Sequence, residues 1–129
     1  MKTTRFFSTL CVLFFSVIIY AQNSKPLIYK INIKKNIGST TWVYLQNGLH
    51  QAKEKEADYV LLHINTYGGG VLEADSMRTA VLNSPIPVLA FIDNNAASAG
   101  ALISIACDSI FMRSSGSMGA ATVVSGEGE

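Results

Sequence analysis

The stretch Tyr59-Val60-Leu61-Leu62-His63-Ile64-Asn65-Thr66-Tyr67-Gly68-Gly69-Gly70 decides the fold. Its first six residues are a nearly continuous apolar run, the pattern of a strand buried on both faces of a parallel sheet. Gly68-Gly69-Gly70 then breaks the chain where that strand ends, and open α/β sheets bind ligands beyond that end. The triplet lacks the Gly-x-Gly-x-x-Gly spacing of a dinucleotide site. Two readings of it stand: a plain tight turn, or a backbone cradle whose free N–H groups hold a developing oxyanion. His63 lies inside the apolar run, where a structural histidine with satisfied hydrogen bonds is expected rather than a catalytic one.

Upstream, the chain alternates from Leu27 to Ile33 and reads as a strand. Asn36 to Thr41 holds turn and capping residues. Trp42, Leu45, Leu49 and Ala52 then recur at helical spacing, which predicts an amphipathic helix from Thr40 to about Ala57. Gly48 inside it costs about 1 kcal/mol relative to alanine. Lys53, Glu54, Lys55 and Glu56 read as a solvated face. Downstream, Ala74, Met77 and Val81 mark a second helix over Val71–Leu82, and Pro85 and Pro87 bracket its exit. Val88–Ile92 is a third strand, Ala99 to about Cys107 a short apolar helix, and Ser109–Met112 a fourth strand. The order β-α-β-α-β-α-β predicts an α/β fold of repeated β-α units with a mostly parallel sheet and right-handed crossovers.

The chain has 129 residues, 49% apolar and 15% charged, so it is globular or membrane-associated and holds one domain at most. The net charge is +1, but Lys2 and Arg5 sit at the extreme N-terminus. From residue 22 onward the balance is 8 basic to 9 acidic side chains, which leaves no footprint for nucleic acid. Cys11 and Cys107 form no metal-type cluster, so a zinc module and a disulfide-rich miniprotein are excluded and no metal or cofactor is expected. Lys2 and Arg5, then the apolar stretch Phe6–Tyr20, then Ala21 follow the order of a secretory signal peptide. The expectation is a signal at residues 1–21 and a domain at residues 22–129, with an uncleaved anchor as the rival. Cys107 would then be the sole thiol of a domain working outside the cytoplasm.

A second place for chemistry is Asn94-Asn95-Ala96-Ala97-Ser98-Ala99-Gly100-Ala101, again just after a strand. Ser98 reads either as the cap of the next helix or as a nucleophile at a crowded strand-to-helix turn. Small neighbours leave room for a substrate carbonyl. The Gly-x-Ser-x-Gly elbow of α/β-hydrolases is absent.

Together these segments resemble the ClpP/crotonase fold, and specifically the NfeD-type membrane serine proteases, relatives of signal peptide peptidase A. Leu61 to Gly69 resembles that family's strand followed by Asp-Thr-Pro-Gly-Gly, with Tyr67 where proline is frequent. Ile86-Pro87-Val88 resembles its Ile-Pro-Val strand entry. Ala96-Ala97-Ser98-Ala99-Gly100 resembles its nucleophile motif, and Ser117-Met118-Gly119-Ala120-Ala121 its Ile-Gly-Ala stretch near the substrate groove. The resemblance runs from about Pro26 to Val124.

What the resemblance implies is a serine endopeptidase of the Ser–Lys dyad type. Ser98 would be the nucleophile and the N–H groups of Gly69 and Ala99 the oxyanion hole, with a one-residue uncertainty within the triplet. The polypeptide substrate would be apolar and membrane-proximal. The enzyme would be exported, membrane-associated on the non-cytoplasmic face, and a homo-oligomer. The family's base is a lysine downstream of the Ile-Gly-Ala stretch, yet no lysine or histidine follows Ser98 here, and Arg113 stays protonated. The expectation is therefore an N-terminal part of a longer protein, inactive alone. The base lysine, membrane spans and a small β-barrel domain would lie beyond Glu129. Two other function classes share the pattern: a crotonase-like acyl-CoA enzyme using the same oxyanion hole, and a non-catalytic membrane scaffold.

Overall fold

The computed structural model describes residues 25–121. The expected signal peptide at residues 1–21 lies outside the described residues. The elements are β1 (Ile28–Ile33), α1 (Ser39–Glu54), β2 (Tyr59–Thr66), α2 (Val71–Leu82), β3 (Val88–Ala97), α3 (Ala99–Ile105), β4 (Ser109–Met112) and β5 (Ser117–Gly119). The sheet runs β1-β2-β3-β4 with every pairing parallel, and β5 joins β3 beyond the end of β4. The expected α/β fold and its order of elements are present, with β5 added.

From β1 to β4, each strand lies beside the one before it. Right-handed crossovers therefore carry all three helices to the same face. Burial along the strands alternates to match: Ile31 and Ile33, then Val60, Leu62 and Ile64, then Val88, Ala90 and Ile92 point into one core. Leu45 and Ala52 of α1, Ala74, Met77 and Val81 of α2, and Ile103 of α3 close over them. Each large aliphatic side chain so buried stabilises the fold by about 1.5–3 kcal/mol. The helical stripes read from the sequence are the ones that face this core.

The same geometry corrects one expectation. β2 is covered on one face only, and Leu61 and His63 on the other face are half-buried, beside Leu89 and Phe91 of β3. Among the described residues the apolar run belongs to a central strand with one covered and one open face, because the crossovers there bring their helices to the first side.

Two aspartates fix the register. Leu27 N–H donates to Asp58 Oδ2 at 2.7 Å, and Val88 N–H donates to Asp108 Oδ2 at 2.7 Å. In each case a carboxylate just before one strand holds the entry of its neighbour. Gly48 lets α1 lie close on β1: a Cβ there would stand 2.6 Å from Ile31 Cδ1. α1 ends at Glu54 rather than Ala57, because Glu56 turns the chain with φ of 52°.

The largest departure is β3, which continues to Ala97 instead of ending at Ile92. The extension is held chiefly by β5, with Ala96 paired on both edges. Ala96 pairs with Thr66 beyond a register shift at which Asp93, Asn94 and Asn95 of β3 stand opposite Asn65 of β2 alone, and Asn95, Ala96 and Ala97 pair with Ser117, Met118 and Gly119 of β5. Side chains add to this: Asn95 N–H donates to Asn65 Oδ1 at 3.3 Å, and Ser117 Oγ donates to Asn95 Oδ1 at 2.9 Å.

Candidate active site

β2 delivers the glycine loop. Thr66, its last residue, is buried, and its Oγ1 donates to the Lys35 carbonyl at 2.9 Å while accepting the Gly68 N–H at 3.1 Å. Gly68 and Gly69 then take φ of 108° and 154°, a region open to glycine and strained for other residues. Ile37, in the connection from β1 to α1, bridges the loop. Its N–H donates to the Gly68 carbonyl and its carbonyl accepts the Gly70 N–H, both at 2.9 Å. The N–H groups of Gly68 and Gly70 are thus committed. That of Gly69 has no acceptor among the described residues.

β3 delivers Ser98 on the adjacent turn. The two pieces touch: a Cβ at Gly68 would lie 2.8 Å from Ser98 Cβ and 3.3 Å from the Ala99 nitrogen. Ser98 has φ of 52° and ψ of −116°, a conformation that costs a non-glycine residue about 1–3 kcal/mol and persists only where its surroundings impose it. Here they do. Ser98 N–H donates to the Gly119 carbonyl at 2.8 Å, and the Ser98 carbonyl accepts from Ala101 at 3.0 Å and Leu102 at 3.2 Å.

Ser98 occupies the N-cap position of α3, yet its side chain makes no capping hydrogen bond. The hydroxyl is exposed and uncommitted among the described residues, so the capping reading of Ser98 does not hold for its side chain. Ala99 follows as the first residue of α3, where an N–H has no partner inside the helix. The arrangement sets one exposed hydroxyl beside two backbone donors, which is the equipment for attack on a carbonyl and for holding the oxyanion that results.

Other side chains define what the site lacks. Lys25, Lys30, Lys34, Lys35, Lys53 and Lys55 are all exposed, so none sits where burial would keep an amine neutral. His63 is a satisfied histidine, as expected: its Nε2 lies 3.1 Å from Asp93 Oδ2, and its ring packs edge-on to Phe91. Asp93, which the sequence reading passed over, is a charge hub, with Lys34 Nζ at 3.8 Å and a terminal Arg113 guanidinium nitrogen at 3.3 Å. The His63 hydrogen bond holds its carboxyl below the ordinary range, helped by Arg113 and Lys34 against partial desolvation. The cue in the sequence was an acid directly after an apolar strand, with basic residues closing β1 and β4. Cys107 is no nucleophile, because burial and the charge of Asp108 push its thiol up to about 12. Tyr67, Val71 and Leu72, flanking the glycine loop, are 77%, 66% and 82% exposed and form an apolar rim.

Residues 27–129 match the family model described as NfeD1b, N-terminal domain. Membrane protein NfeD1b of Bacillus subtilis (strain 168) is 40% identical over 108 residues, which is 84% of this chain and 25% of that protein. A serine-to-alanine variant of the 1510-N membrane-bound stomatin-specific protease is similar in structure, with TM-score 0.74 and 25% identity over 82% of this chain and 54% of that one. A lysine-to-alanine variant of 1510-N, in complex with a substrate peptide, gives TM-score 0.73 and 26% identity over 82% and 51%. ClpP1 from Listeria monocytogenes, at 22% identity and TM-score 0.59 over 61% of this chain and 46% of that one, shows the ClpP/crotonase-like fold alone. The chain spans about a quarter of the curated relative and about half of the 1510-N structures.

Proposed function

The chain belongs to the family of NfeD1b N-terminal domains, and on that footing we propose that it is the nucleophile-bearing part of a membrane-associated serine endopeptidase of the Ser–Lys type. One observation carries the reading. Ser98 holds an uncapped, exposed hydroxyl on a strained turn, against a loop whose Gly69 N–H is unspent.

In the proposed reaction Ser98 Oγ attacks the scissile carbonyl as its proton passes to a base. The carbonyl oxygen becomes an oxyanion that accepts from the N–H groups of Gly69 and Ala99, each donor contributing about 3–4 kcal/mol to the transition state. Collapse expels the amine, which takes the proton, and leaves an acyl-serine for water to hydrolyse. The proposed base is a lysine outside this sequence. The exposure of all six described lysines supports that choice, as does the lysine replaced in the peptide-bound 1510-N variant.

The proposed substrate is an apolar, membrane-proximal polypeptide. The exposed rim of Tyr67, Val71 and Leu72 supports this, as does the stomatin specificity named for 1510-N. The membrane protein relative supports a membrane setting. No helix among the described residues is long and apolar enough to cross a membrane, so attachment is proposed through other parts of the protein. Export to the non-cytoplasmic face by a signal at residues 1–21, and assembly of several copies, belong to the same proposal.

Ser98→Ala in the full-length protein tests it. Hydrolysis of an internally quenched apolar peptide should fall by about a thousandfold or more, as for loss of a nucleophile. Unchanged turnover would refute the assignment. The 129-residue chain alone should be essentially inactive. Ser98-dependent hydrolysis by that chain would show that the base is already among its own residues.

A further inference from the structure

We propose that Thr66 is a positioning residue that sets the two oxyanion donors relative to each other, an inference that rests on the reading of Ser98, Gly69 and Ala99 given above. Thr66 touches neither the nucleophile nor the reacting carbonyl. It touches what carries each donor.

Its hydroxyl works on the glycine loop. Gly68 and Gly69 both have φ values that glycine reaches at little cost, so the peptide planes of this loop are free to rotate unless something holds them. Thr66 Oγ1 accepts the Gly68 N–H at 3.1 Å and donates its own proton to the Lys35 carbonyl at 2.9 Å. That pair of bonds keeps the Gly68 N–H turned into the protein. The Ile37 carbonyl does the same for Gly70. With both neighbours committed, the Gly69 N–H is the group the loop presents.

Its methyl works on the other donor. Gly100 follows Ala99, and a Cβ at Gly100 would lie 2.6 Å from Thr66 Cγ2. The methyl therefore fills the space between the end of β2 and the first turn of α3, which carries the Ala99 N–H. A single buried side chain spans the gap between the two donor segments. Donors aimed in advance at the developing charge need no reorganisation during reaction, and such supporting contacts decide how well they are aimed.

Two substitutions separate the halves of this role in the full-length protein. Thr66→Val keeps the shape and the methyl and removes the hydroxyl. Thr66→Ser keeps the hydroxyl and removes the methyl. The probes are an internally quenched apolar peptide for kcat and KM, and a peptide aldehyde whose adduct with serine places an oxygen where the oxyanion forms. Thr66→Val should lower kcat about tenfold or more with KM within about twofold, and weaken the aldehyde by the factor lost in kcat. Thr66→Ser keeps the hold on the glycine loop but loses the methyl behind the Ala99 segment, so kcat should fall by a smaller factor, about threefold or more, with KM within about twofold.

An unchanged kcat in Thr66→Val overturns the proposal, as does a KM that rises as much as kcat falls. Should Thr66→Val fail to fold, Thr66→Ser decides alone, and an unchanged kcat there, or a KM that rises as much as kcat falls, overturns it. Ser98→Ala separates the two levels of the argument. If that variant still hydrolyses the peptide, the reading of the site fails. If it is dead while Thr66→Val is fully active, only the role of Thr66 fails.

Discussion

Ser98 sits where any side chain costs free energy, and that cost can be measured apart from chemistry. Ser98→Ala keeps a Cβ at φ of 52° and so keeps the strain. Ser98→Gly removes it. The glycine variant should be more stable than the alanine variant by about 1 kcal/mol, the relieved strain less glycine's extra unfolded-state entropy. Both should be inactive, and equal melting temperatures for the two would remove the strain argument. Asp93 gives a prediction of opposite character. Its carboxyl is held below 3.8, so its stabilisation is complete above the ordinary carboxylate range and drains away as pH falls through the lowered value. Asp93→Asn should lower the melting temperature at pH 7, and the gap to the parent should close below about pH 4. A gap that widens in acid would contradict the hub. The proposed nucleophile stood out at this scale because Ala96, Ala97, Ala99 and Gly100 crowd so much small surface around one serine. Which glycine presents its N–H was not legible. That depends on Ile37 and Thr66 claiming the other two, and Ile37 stands some thirty residues upstream of the loop.

Strands and helices carry a different kind of information. β2 declared itself through six consecutive residues that suit a pleated, buried surface, and Ile64, which ends that run, is fully buried. Ile64→Val should cost about 0.5–1.5 kcal/mol and Ile64→Ala about 2–5 kcal/mol, read from denaturant midpoints. The second half of β3 gave no such sign. Asn94 and Asn95 are poor strand formers, and it is the pairing of Asn95 with Ser117 of β5, with the Asn65 side chain on the other edge, that carries the strand through them. A local reading therefore stops at Ile92, and the pairing that overrides it comes from β5, more than twenty residues on. Gly48 shows the same limit inside a helix. Propensity says that alanine gains about 1 kcal/mol there, but the contact with Ile31 takes the gain back. Gly48→Ala should leave the melting temperature unchanged or lower it, and a clear rise would show that Ile31 yields freely. Gly69→Val is not a clean probe of the proposed oxyanion hole, because its Cβ would collide with the backbone of Ile37 and dislodge the loop.

At the scale of the whole molecule, Cys107 reports whether the fold is intact. A thiol raised from 9.0 to about 12 holds its proton in the folded state, so folding loses this contribution only as pH climbs above 9. Iodoacetamide at pH 8 should alkylate Cys107 about a thousandfold more slowly in the native protein than in the denatured one, scored by peptide mass spectrometry. Rapid native labelling would show that the α3–β4 corner opens. The sheet itself adds one strand at a time beside the last, so the architecture can be laid down in the order in which the chain is made. The Ser98 turn is the exception to that order. Its N–H is held by the carbonyl of Gly119, and β3 is braced there by Ser117 and Met118. While the polypeptide is still being synthesised, Ser98 leaves the ribosome well before the strand that bends it into shape. The strained turn is thus the last part of this unit to mature, and the serine has no reactive geometry until the scaffold that bears its cost is already standing.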